Sequence, residues 1–217
     1  MANKGLPGAM SDSVRLNTLF LGLTAMFVGY FLTWLPGPAA GLQIIGLEMG
    51  EWIKFLGVGV GRNWFYLPPI AMGAIVALLA AMWPNDDWRT WLTRLLAIAI
   101  ALLAFPAIAA IQMEPRSEWL ARLIAIGVVV VIAIGGGLIK RRDSATRWAW
   151  LTIAVFAFLG GVLPTAQYFL VRPIVEGILK QNLGIGIGVW LNLAGALLIG
   201  MMALYAIRQQ ANKKDSR

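Results

Sequence analysis

Apolar residues run along this chain in six long stretches separated by short polar tracts. A helix needs about 20 mainly apolar residues to cross roughly 30 Å of hydrocarbon. Stretches near that length lie at about 17–35, 64–83, 91–113, 120–139, 148–171 and 186–207. They predict an all-α fold, a single integral membrane domain over 1–217 built as a polytopic transmembrane bundle of six spans. Two shorter segments, about 42–56 and 172–183, follow a different pattern. In the first, Ile45, Met49, Trp52 and Leu56 share one helical face; Gln43, Glu51 and Lys54 occupy another, with Glu48 at its margin. In the second, Arg172, Glu176 and Lys180 form a polar stripe opposite Val171, Ile174, Val175 and Ile178. Both are too short and too polar to span, so they predict amphipathic helices on the outer membrane surface or capping the bundle. Glu176 and Lys180 stand in the favourable i,i+4 order for an ion pair.

Prolines and tryptophans punctuate this pattern. Pro36-Gly37-Pro38 ends the first stretch, Pro68-Pro69 opens the second, and Pro106 and Pro164 lie inside the third and fifth. A proline inside a span is tolerated where a neighbouring helix or polar side chain meets the freed carbonyl, and it marks a kink. Lys4 and Arg15 precede the first stretch in the manner of a signal peptide, but its apolar run is longer than a signal core, which predicts a retained anchor. Trp34, Trp64, Trp83, Trp88, Trp91, Trp119 and Trp148 fall at predicted span ends, where an aromatic belt belongs.

Composition strengthens the reading. Hydrophobic residues make up 59% and charged residues 13%, with mean hydropathy +0.76, whereas soluble domains carry about 25% charged residues. A net charge of +8 would suggest nucleic acid in a soluble protein. Here the basic residues flank apolar runs, so membrane lipids are the expected partner and nucleic acid is not. Their distribution also orients the chain. With the N-terminus inside, Lys4, Arg15, Arg89, Arg94, Lys140, Arg141, Arg142, Arg147, Arg208, Lys213, Lys214 and Arg217 are inside. Only Lys54, Arg62, Arg116, Arg122, Arg172 and Lys180 are outside. That bias favours both termini on the cytoplasmic side of a prokaryotic cytoplasmic membrane.

The candidate chemistry is sparse. The chain holds no Cys and no His, which removes disulfides, thiolate nucleophiles, Cys/His zinc sites and His-ligated haem or chlorophyll. No metal site, catalytic residue or cofactor is predicted, a non-covalently held lipid or pigment aside. Two stretches resemble one another: Leu35-Pro36, then Glu51 and Lys54, then Gly57, Gly59 and Gly61; and Leu163-Pro164, then Glu176 and Lys180, then Gly184, Gly186 and Gly188. They raise the idea of a parallel internal repeat. The glycines suit close helix packing, hinges, or carbonyls lining a pathway. Among mid-span polar groups, Asn192 is the best placed for an interhelical hydrogen bond, with Gln167, Thr24 and Thr165 as the others; Arg94 and Arg122 sit near span ends and are expected to snorkel. Glu48 and Glu51, three residues apart, and Glu114 and Glu118, four apart, are the carboxylates weighed at the outer surface.

Elimination leaves a non-enzymatic accessory or scaffold subunit that packs against other membrane proteins, lipids or pigments. The alternative is a small channel or transporter with the two glycine strips lining its path. The third reading is a lipid-modifying enzyme using Glu48, Glu51 or Glu114 at the interface.

Overall fold

A computed structural model describes residues 12–37, 43–55, 57, 59–136 and 143–215. Helix α1 (Asp12–Phe31) leads into a short antiparallel hairpin of β1 (Thr33–Leu35) and β2 (Ile44–Ile45), which passes directly into α2 (Gly46–Lys54). A 3-10 segment, Gly59–Tyr66, enters α3 (Leu67–Ala81). Then come α4 (Trp88–Ala101), α5 (Ile108–Met113), α6 (Arg116–Gly135), α7 (Asp143–Leu179) and α8 (Ile187–Asp215). Five stretches are long and apolar enough to cross a membrane: Ser13–Phe31, Gly61–Ala81, Arg116–Gly135, Thr146–Leu179 and Ile187–Asn212. The all-α bundle predicted from the sequence is therefore the fold. Lys4, Lys140, Arg141, Arg142 and Arg217, which entered the charge count, lie outside the described residues.

The third expected span is divided. Helix α4 has 14 residues and reaches only about 21 Å; a 3-10 turn, Leu102–Ala104, and then α5 continue it beyond a break. Pro106 causes the break. It has no N–H to donate and disfavours helical geometry at Phe105, which is extended at φ −64° and ψ 129°. At its other end α4 is capped by Asp87, whose side chain accepts from the Arg89 amide at 2.9 Å.

Pro164 has the opposite outcome, and Asn192 meets the carbonyl it frees. Helix α7 runs unbroken for 37 residues through Pro164 and Pro173. Pro164 frees the carbonyl of Gly160 four residues earlier. Asn192, fully buried on α8, donates to that carbonyl from Nδ2 at 3.2 Å. The partner that an intramembrane proline needs is thus supplied across the α7–α8 interface. Asn192→Ala is expected to lower stability by about 1–3 kcal/mol, the cost of an orphaned buried acceptor. Pro164→Ala should recover part of that loss by restoring the i,i+4 amide, read as coupling in a double-mutant cycle of thermal unfolding.

At 37 residues, α7 is about 55 Å long and outreaches the hydrocarbon layer. Segment 172–183 is consequently not a separate surface helix. Residues up to Leu179 prolong α7, and Lys180 follows in the left-handed region at φ 51°, a conformation that commonly closes helices. The other expected surface helix does form, as α2, with Ile44 and Ile45 diverted into β2; Leu42 and Leu56 lie outside the described residues. The two stretches read as a repeat therefore fold differently: hairpin and short helix in one, continuous helix in the other.

Helix α3 sits at the centre, with 12 of its 15 residues buried, and it is apolar all round, as a core helix must be. Ala71, Ala74, Ala77 and Ala80 are buried along it. Their small side chains let α4, α6 and α7 approach closely. Around it, α1 and α8 form the most extensive helix pair. There Gly29 packs on Gly188 and Gly22 on Gly195, backbone against backbone. At the end of the bundle bearing α2, a second apolar cluster gathers Trp34, Met49, Phe65, Tyr168, Val171 and Val189. Trp34 is fully buried there, donating from Nε1 to the Gly29 carbonyl at 2.9 Å. It anchors the hairpin to α1 and does not belong to an aromatic belt.

Candidate functional site: a buried charge network under α2

Four elements bring ionisable side chains together at the α2 end. Helix α2 supplies Glu51 and Lys54, the 3-10 segment supplies Arg62 and Tyr66, and the α5–α6 junction and first turns of α6 supply Glu114, Glu118 and Arg122. The sequence places Glu118 and Arg122 one turn apart on the same face of α6, and Glu114 joins them because Pro115 turns the chain into that helix. Tyr30, in the last turn of α1, comes close from the fourth side.

Arg62 holds one half of the network. It is 2% exposed; its Nη2 donates to Glu114, and its Nε donates to Glu118 at 3.0 Å. Lys54 donates to the other oxygen of Glu114. Burial by itself would raise the Glu114 carboxyl, but the hydrogen bonds from Lys54 and Arg62 outweigh it and hold the group below the usual carboxylate range. Charge-assisted bonds of this kind are among the stronger polar contacts.

Arg122 holds the other half, and it is poorly satisfied. Its guanidinium lies 4.0 Å from the centre of the Tyr66 ring, an attractive cation–π stack. The nearest carboxylate, Glu51, is 3.8 Å from Nη1, beyond hydrogen-bond distance. Glu51 instead accepts from the Tyr66 hydroxyl. Arg122 is 3% exposed, and none of its three nitrogens has a hydrogen-bond partner among the described residues. The Tyr30 hydroxyl, fully buried, also lacks one. It interacts electrostatically with both Arg122 and Tyr66. Arg62 Nη1 is a further buried nitrogen without a partner.

The residues singled out from the sequence divide clearly. Glu51, Lys54 and Glu114 join this network, whereas Glu48 is exposed on α2. Glu176 takes its ion pair from Arg172 at 3.0 Å and not from Lys180; it also accepts from the Leu183 amide at 2.9 Å. The left-handed turn at Lys180 carries that residue out of the i,i+4 register. Arg94 and Arg122 do not snorkel. Arg94 is 2% exposed, donates to Asn85 at 2.6 Å and stacks on Trp91 at the far end of the bundle.

Gly61 and the three glycines of the second strip face protein. Gly57 takes φ 69° after α2, a left-handed turn with open space around it, and Gly59 opens the 3-10 segment. Gly61 faces the Gln167 amide, 2.7 Å from where a Cβ would sit. Gly184 lies against the Pro36 ring, Gly186 against the Thr33 and Trp34 carbonyls, and Gly188 against the Gly29 carbonyl. Gly186 also donates its amide to Trp34 at 2.9 Å, so the second strip stitches α8 to β1.

Sequence reasoning did not single out Arg62, Tyr66 or Tyr30 for the site, placed Glu118 among the outer carboxylates without a partner, and misjudged Arg122. The available signal was the arginine itself, since an ionisable residue inside an apolar stretch marks function unless a partner neutralises it. Compared with known proteins, the chain matches no family model, no curated protein and no solved structure, so its chemistry has to be read from its own residues.

Proposed function

We propose that this chain is a non-catalytic membrane component, an accessory or scaffold subunit that packs against other membrane proteins, lipids or pigments. One observation carries the reading. Helices α1 and α4 leave between them an apolar groove of about 360 Å³, lined by Phe27, Leu96, Ala99, Ile100 and Leu103. In lipid, helix association depends on close packing and not on a hydrophobic drive, so an open apolar groove suits an inserted helix, acyl chain or pigment. Groups that could have pointed to a pathway or to catalysis are engaged elsewhere: Gly186 and Gly188 of the second strip in packing on the backbone of β1 and α1, and Glu51 and Glu114 in the charge network. The basic bias of the sequence supports both termini on the cytoplasmic side of a prokaryotic cytoplasmic membrane.

The test is purification from native membranes in mild detergent followed by native mass measurement. The expected result is a defined extra mass from a subunit, lipid or pigment, lost on Leu96→Trp, which fills the groove. A bare monomer with the same mass in both forms overturns the reading.

A further inference from the structure

We propose that Arg122 is the receptor for a phosphate group, reached past Glu51 and completed by the Tyr30 hydroxyl. This goes beyond the subunit reading and does not depend on it, because the groove between α1 and α4 takes no part. The ion pairs at this end are unevenly shared. Glu114 has Lys54 and Arg62, and Glu118 has Arg62, while Arg122 keeps only a carboxylate held 3.8 Å away and already engaged by Tyr66. A guanidinium carries five N–H donors in a rigid fork that fits carboxylate and phosphate oxygens. To hold that fork dry with no acceptor is costly, and an intramembrane arginine in this condition points to a ligand.

Two further groups define the ligand's chemistry. The buried Tyr30 hydroxyl comes from a different helix, within electrostatic range of the same guanidinium, and donates to no protein atom among the described residues. Fork and hydroxyl approach from different elements, and the tetrahedrally arranged oxygens of a phosphate can accept from both directions at once. Glu51 is the way in. Its side chain is 48% exposed while Arg122 is buried behind it, so an anion reaches the guanidinium when Glu51 swings outward. Glu51 then acts as a competitor for the site, repelling a ligand of its own charge. The phosphate comes either from an anionic lipid headgroup, the anion most abundant at this depth, or from solution.

Full-length protein in nanodiscs distinguishes these sources. Thermal unfolding is followed in phosphatidylcholine alone, in phosphatidylcholine with inorganic phosphate against sodium chloride of equal ionic strength, and in phosphatidylcholine with phosphatidylglycerol. A rise in midpoint with phosphatidylglycerol only assigns the headgroup; a rise with inorganic phosphate assigns a free phosphate. Tyr30→Phe is the decisive variant because it removes a hydroxyl without a protein partner. It should fold at least as well as the parent yet bind phosphate about tenfold more weakly, the worth of one hydrogen bond to a charged acceptor. Glu51→Gln should bind more tightly, and Arg122→Gln should lose the response altogether. No response in either arm overturns the proposal, as does a response that Tyr30→Phe and Glu51→Gln leave unchanged.

Discussion

Gly188→Val is expected to destabilise the bundle by about 3 kcal/mol or more, at the upper end of the penalty for overpacking, because the added atoms have nowhere to go. A Cβ at Gly188 would press on the carbonyls of Gly29 and Leu32 and on the Trp34 ring. Two of those three obstacles are backbone of the facing helix end, which cannot rotate away as a side chain can. The strain falls on the most extensive helix pair in the molecule and on the tryptophan that holds the hairpin down. Helices α1 and α8 can relieve it only by separating, which opens the contact between Gly22 and Gly195 one heptad along. Gly127→Ala on α6 is the control. Nothing lies within 4 Å of the position a Cβ would take there, so the substitution should gain up to about 1 kcal/mol from helix propensity. Thermal unfolding followed by tryptophan fluorescence reads both. A loss at Gly188 no greater than at Gly127 would falsify the close α1–α8 crossing.

That crossing shows what the sequence disclosed and what it withheld. Span positions follow from one-dimensional quantities, apolar length and flanking charge, and five of the six emerged as spans, the third being divided at Pro106. Pairing follows from which small residues meet across helices, and these lie far apart in the chain. Gly29 and Gly188 were both legible as glycines, but only the fold sets them face to face. The same limit governs proline. Pro106 and Pro164 look alike in sequence, each inside an apolar run, yet one breaks its helix and the other does not. At Pro164 the Asn192 amide meets the freed Gly160 carbonyl from another helix. Asn192 was legible as an interhelical donor, but its acceptor was not.

The charge network was hidden for a related reason. Read singly, Arg62 and Arg122 look like residues near a membrane surface with long stems free to bend toward water. The chain closes that route by folding α2 over them, so the arginines must find partners within the protein. Lys54 and Glu114 could not be recognised as a pair, because α3, α4 and α5 stand between them in sequence. Glu176 shows how a one-residue conformational detail overrides a sound local rule. The i,i+4 spacing to Lys180 was right for a helix, and the helix stopped one residue too early.

Arg62→Met should cost about 3–5 kcal/mol at neutral pH, the range measured when one partner of a buried ion pair is removed. The loss comes mainly from what is left behind. Glu118 keeps no basic partner among the described residues, and Glu114 keeps only Lys54, itself 40% exposed. The pH dependence makes the prediction sharp. In the parent chain Glu114 titrates below its ordinary value. Its contribution is therefore complete above the unfolded-state value of about 4.3 and is lost only as pH falls through the lower folded one, so stability declines on acidification. Without Arg62, Glu114 keeps Lys54 alone and loses one of the two cations that hold it below the usual carboxylate range. The Arg62→Met chain should therefore lose less stability than the parent as pH falls below about 4.3. Glu118→Gln in the same chain removes the carboxylate that has no other partner while leaving Lys54 with Glu114, and should return about half of the loss. Unfolding midpoints on both sides of that pH decide the matter: parallel slopes in parent and variant would mean that Arg62 contributes nothing to holding Glu114 ionised.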